Sequence, residues 1–104
     1  MVFNKAVYFQ RIKPGKYDAE TGNYGEEQPE EELRYADVTE AATETLQLIY
    51  GTLKQGCLTI RLQRAYDKPF DRIRVGSRVY RADWSKHQLS GKHVFVVSEV
   101  QGNG

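Results

Sequence analysis

Strict alternation of apolar and polar residues dominates the back half of the chain. Leu58, Ile60 and Leu62 alternate with Thr59, Arg61 and Gln63, the two-residue period of a strand with one buried face. A second run, Ile73-Arg74-Val75-Gly76-Ser77-Arg78-Val79-Tyr80, reads as a hairpin turning at Gly76-Ser77, the glycine-first order of a type II′ turn. That register sets Val75 opposite Arg78, Ile73 opposite Tyr80 and Arg72 opposite Arg81. One face then carries Ile73, Val75, Tyr80, Ala82 and Trp84, and the other Arg72, Arg74, Arg81 and Asp83. The stretch from His93 to Val100 is apolar on both faces, as in a central strand or one that a partner covers.

The front half is more mixed. Residues 4–12 form a strand with Val7 and Phe9 on one side and Tyr8 and Gln10 on the other, ended by Pro14-Gly15. From residue 13 to residue 32 the composition turns acidic and breaker-rich, and Tyr17 and Tyr24 flank a turn. The run at residues 26–32 cannot bury itself, so residues 13–32 are expected to form a long, exposed acidic loop. Residues 33–38 give a second strand. Residues 39–50 give the one helical candidate, capped by Asp37 or Thr39, ended by Gly51, with Leu46, Ile49 and Tyr50 on one face. The expected fold is mainly β: a small antiparallel barrel or sandwich of about six strands with one short helix, formed by residues 1–104 as a single domain.

Composition narrows the chemistry. The 104 residues carry 39% hydrophobic and 28% charged side chains, with seven Tyr and four Phe, a balance that favours strands over a helical bundle. The single cysteine, Cys57, excludes an internal disulfide and a cysteine-based zinc site; a buried, inert thiol is its plain reading, and a reducing, intracellular origin is expected. No export signal and no membrane span of ~18 apolar residues is visible, so no membrane partner is expected.

The net charge of +1 is unevenly spread: residues 1–33 are net −3, residues 34–60 net −1 and residues 61–104 net +5. A near-zero sum argues against a general nucleic-acid binder, whereas the asymmetry suits a head-to-tail contact between copies.

Catalytic constellations are missing from the sequence. Ser, His and Asp occur without a nucleophile-elbow signature, and no glycine loop is followed by Lys-Ser/Thr. His87 and His93 lack a Cys or carboxylate at ligand spacing and read as surface histidines. Pro29 within the acidic run does not fit a calcium loop. An enzyme, a metal site and a cofactor are therefore not expected.

The arginine face stands out instead. Arg72, Arg74 and Arg81 either splay into solvent or meet acidic groups on a neighbour, for which Glu30 and Glu31 of another copy are candidates. The alternative is a small barrel of the OB type binding single-stranded nucleic acid, with Tyr66, Phe70 and Tyr80 as stacking platforms beside these arginines. The hairpin register tells against it, because Tyr80 falls on the core face.

The order of parts carries a resemblance: Val7-Tyr8-Phe9-Gln10; Tyr17-Asp18 and Thr21-Gly22 with Tyr24; Arg34-Tyr35-Ala36-Asp37-Val38; a short Thr/Glu-rich helical stretch; Leu58-Thr59-Ile60-Arg61-Leu62; and Phe70-Asp71-Arg72-Ile73-Arg74-Val75-Gly76-Ser77-Arg78-Val79-Tyr80. Over nearly its whole length the chain resembles the head–tail joining proteins of long-tailed bacteriophages, also called head-completion, stopper or minor capsid proteins. The resemblance implies a β-barrel that forms a homo-oligomeric ring in the virion, made in the host cytoplasm. The ring meets the portal, adaptor and tail proteins and helps retain packaged DNA. In that family the connection between the second and third strands faces the channel, which corresponds to residues 39–56, with Thr43, Gln47, Lys54 and Gln55 as channel-facing candidates. Lys54 is the segment's only basic residue, beside Glu40 and Glu44, so the segment resembles a plug more than a DNA clamp.

Overall fold

The computed structural model describes residues 2–13, 17–18, 22–24, 28–52 and 54–100. In chain order the elements are β1 (Lys5–Lys13), β2 (Tyr17–Asp18), β3 (Asn23–Tyr24), β4 (Gln28–Glu40), α1 (Thr43–Tyr50), β5 (Cys57–Leu62), β6 (Arg72–Val75), β7 (Arg78–His87) and β8 (His93–Glu99). Six of the strands close an antiparallel barrel in the order β1-β4-β5-β8-β7-β6, while β2 and β3 pair separately. The mainly β barrel with one short helix is thus the observed fold.

The hairpin register is the one the alternation dictates, with Ile73 opposite Tyr80 and Val75 opposite Arg78. Gly76 sits at φ 62° and no other residue type takes positive φ among the described residues, which is the glycine-first turn. Tyr17 and Tyr24 face each other across the β2–β3 ladder, as a turn between them requires.

The acidic loop is the main correction. Residues 28–32 are the start of β4 and pair with β1 from Phe9 to Lys13, so that Arg11 faces Glu30 and Gln10 faces Glu31. Cross-strand pairing of unlike charges lets an acidic sequence hold a strand. Residues 14–16, 19–21 and 25–27 of the expected loop lie outside the described residues. β1 pairs with β6 only at Tyr8–Gln10, and β4 with β5 only at Ala36–Glu40, so the far ends of β1 and β4 continue past the barrel as a two-stranded arm. The molecule is accordingly elongated, 53 × 29 × 21 Å.

A second correction concerns the helix. It spans Thr43–Tyr50 and not residues 39–50, because β4 runs on through Glu40, and its N-cap is Ala42, without a side-chain cap. Gly51 ends it as expected, at φ 72°, donating its N–H to the Gln47 carbonyl.

The barrel is filled. Val7, Phe9, Ala36, Ile60, Leu62, Tyr66, Ile73, Val75, Tyr80, Phe95 and Val97 form one buried cluster. At its centre the Phe9 ring stacks on Tyr66 at 3.8 Å and meets Phe70 and Phe95 edge-on at 5.1 and 5.6 Å. Tyr66 and Phe70 come from the β5–β6 connection, which folds back as a stopper. His93 holds that stopper: its Nδ1 accepts the Tyr66 backbone N–H at 3.1 Å, and its ring lies 4.2 Å from Phe95 and 5.3 Å from His87. The expectation of surface histidines is corrected for His93, which is half-buried because it is a hydrogen-bond acceptor for an inward-folded chain. Burial, and then the neighbouring His87, lower its pKa. Cys57 is buried, as its plain reading requires.

Two predictions follow from this packing. Phe9→Ala should cost about 3–5 kcal/mol in urea unfolding, while Leu89→Ala, at a fully exposed site, should stay within about 0.5 kcal/mol. Equal effects would contradict the core described. The second concerns pH. A histidine whose folded pKa is depressed leaves the unfolded chain binding more protons, so stability should fall as pH drops through about 6.5. His93→Asn, whose amide oxygen accepts the same N–H without titrating, should flatten the curve between pH 7 and 5. An unchanged slope in that variant would assign the effect elsewhere.

Candidate functional site

Because the interior is packed, the outer surface is where this chain can act. Three features lie there: the arginine cluster, the helix α1 and the turn between β7 and β8.

The arginines are held within the chain. Arg74 grips Glu31 with two contacts, Nε to Oε2 at 2.6 Å and Nη2 to Oε1 at 3.0 Å, and its guanidinium lies 4.0 Å from the centre of the Tyr8 ring. Gln10 donates to the same carboxylate at 2.5 Å and accepts from Arg72 Nε at 2.5 Å. The hydrogen bonds from Arg74 and Gln10, together with the positive charge of Arg74 and Arg72, hold the Glu31 carboxyl at about 2. Sequence reasoning offered a second copy as the source of Glu31; here the same chain supplies it, because β4 reaches back along β1. Glu30 is exposed on the arm, opposite Arg11. Arg81 is exposed and donates to Asp83 at 2.8 Å.

Asp83, which the sequence places only on the polar face of the hairpin, ties several elements together. A register shift between Ala82 and Trp84 makes Asp83 the extra residue of a β-bulge. The extra residue inverts the alternation, and Trp84, expected on the core face, sits opposite Val96 on the outside and is 41% exposed. Asp83 accepts hydrogen bonds from Tyr50 at the end of α1, from Ser98 and from Arg81. Burial works against its charge, but these three donors outweigh it and lower its pKa. Burial and the Asp83 carboxylate raise that of Tyr50. This clasp pins α1 to the outside of the barrel.

Between α1 and the sheet runs an apolar groove of about 580 Å³, lined by Leu48 and Ile49 of the helix and by Trp84, Val94 and Val96 of the strands, with Thr45, Thr59, Arg61 and Asp83 at its margins. Leu48 is 87% exposed. The channel-facing candidates Thr43, Gln47, Lys54 and Gln55 are all exposed on the β4–β5 connection, and the Lys54 ammonium lies 4.7 Å from the centre of the Tyr50 ring.

The three rings offered as stacking platforms for single-stranded nucleic acid sit in or against the core. Tyr66 and Tyr80 are buried in the core, and Phe70 is partly buried against it. Among the described residues no group of three or more His, Cys, Asp or Glu is placed to hold a metal ion, and no helix is long and apolar enough to cross a membrane.

No family model matches the chain, and no curated protein matches it. Among solved structures it superposes on the solution structure of protein SF1141 from Shigella flexneri 2a, with a TM-score of 0.70, covering 93% of this chain and 92% of that one at 19% identity. At that identity the likeness speaks to the fold alone: the chain shares its barrel with that protein.

Proposed function

We infer that this chain is a structural component of a long-tailed bacteriophage virion, assembling as a ring at the head–tail junction, where it closes the portal channel, helps retain packaged DNA and receives the tail. The order of sequence elements suggests the class. The observation that carries the reading is the β4–β5 connection. It leaves the barrel as an exposed helix clasped to the wall through Tyr50 and Asp83, and presents Thr43, Gln47, Lys54 and Gln55 outward. A rigid barrel with one exposed, clasped segment suits a subunit that holds its place in a ring and offers that segment to the channel.

In this reading the portal, adaptor and tail proteins are the partners, and the packaged DNA is met only near the channel. With one lysine beside two glutamates, the segment blocks more by bulk than by attraction for phosphate. Activity resides in contacts, and no bond is made or broken.

Deletion of the gene from the genome that encodes it should give heads that lose DNA and carry no tails in electron micrographs. Adding the purified chain to such heads and to free tails should restore infectivity. Tailed, infectious particles assembled without the chain would refute the assignment.

A further inference from the structure

The turn between β7 and β8 presents a leucine to solvent in a fixed form. Leu89 is fully exposed at its tip, between Gln88, which donates its N–H to the Lys92 carbonyl at 2.8 Å, and Gly91, which donates to the Gln88 carbonyl at 2.9 Å. A turn closed by two backbone hydrogen bonds loses little entropy on docking. The segment Lys86-His87-Gln88-Leu89-Ser90-Gly91-Lys92 contains no acid.

The groove beside α1 has the opposite character. Its lining is mostly apolar, with Leu48, Ile49, Trp84, Val94 and Val96, and Glu44 lies one helical turn before Leu48, on the same face. The charges lining it are already satisfied: Arg61 pairs with Asp37 at 3.6 Å and Asp83 with Arg81 at 2.8 Å. Among the described residues, no ion pair engages Glu44, Lys86 or Lys92. A chain cannot seat its own leucine in this groove. Along β7 the tip lies five residues beyond Trp84, roughly 16 Å away at strand spacing, on a ladder paired through His87 and His93.

We propose that the β7–β8 turn of one copy docks in the α1 groove of the next, Leu89 against Leu48, Ile49 and Trp84, with Lys86 and Lys92 beside Glu44. Knob and groove lie at different places on the same chain, so the contact is heterologous and runs head to tail; it closes into a ring when its rotation allows. It rests on the ring reading above and gives that ring a subunit contact. One leucine and a few rim charges make a weak joint, so copies associate measurably only when concentrated or templated.

The test is cross-linking at millimolar concentration under mild oxidation, with the wild-type chain as background, since its one cysteine is buried. Mixing Leu48→Cys chains with Leu89→Cys chains should give a mixed disulfide in preference to either like pair. A chain carrying both changes should give a ladder beyond dimers. Both sites are exposed, so both variants should melt like the wild type. Leu89→Ser should weaken self-association by about 10-fold or more in sedimentation. Glu44→Lys should weaken it too, with recovery on adding Lys86→Glu and Lys92→Glu. Cross-links no stronger than background, a preference for like pairs, or no recovery in the charge swap would overturn the contact. Wild-type oligomers without mixed cross-links would overturn the contact and leave the ring reading standing. Mixed ladders that grow into open filaments under the microscope would support the contact and remove the ring.

Discussion

The stacking of Phe9 on Tyr66 is the interaction on which the rest depends. It joins β1, the first strand, to the β5–β6 connection, and through Phe70 and Phe95 it reaches the central strand β8. A barrel of six strands closed without this cluster would enclose a void, and a void in a core this small costs several kcal/mol. With the cluster in place the interior is occupied by protein side chains. The barrel then serves as a stiff frame, and chemistry or recognition is left to the outer wall.

What the wall carries follows from two local departures from regular alternation. The arm forms because β4 is long enough to pair with β1 first and β5 afterwards, which brings Glu31 to Arg74 inside one chain. The bulge at Asp83 turns Trp84 outward and supplies a carboxylate to Tyr50, and so fixes both the groove and the helix that borders it. Each feature builds surface at the expense of the simplest ladder, and each places an acid where arginine or tyrosine can satisfy it.

These are also the places where the sequence alone misleads. Strict alternation at Leu58, Ile60 and Leu62 and the Gly76-Ser77 turn were legible because period and turn chemistry are local. The start of β4 was not: Glu30, Glu31 and Glu32 have no strand preference of their own and are held by partners on β1, β6 and the β5–β6 connection. The bulge leaves no mark in the sequence, because an extra residue looks like any other until its partner strand is known. Tyr66 looked available for stacking only because its partner Phe9 is distant in the chain. Leu89, a lone apolar residue in a basic and polar turn, was a surface signal open to reading in advance.

The proposed working surface of this molecule is the outside of a solid barrel. Amide hydrogen exchange, compared between the free chain and the chain in the proposed assembly, addresses it most directly. New protection is expected at α1 and at residues 84–92, with β1, β5 and β8 equally slow in both states. Unchanged exchange at α1 and the β7–β8 turn, with the gain confined to the core strands, would contradict it.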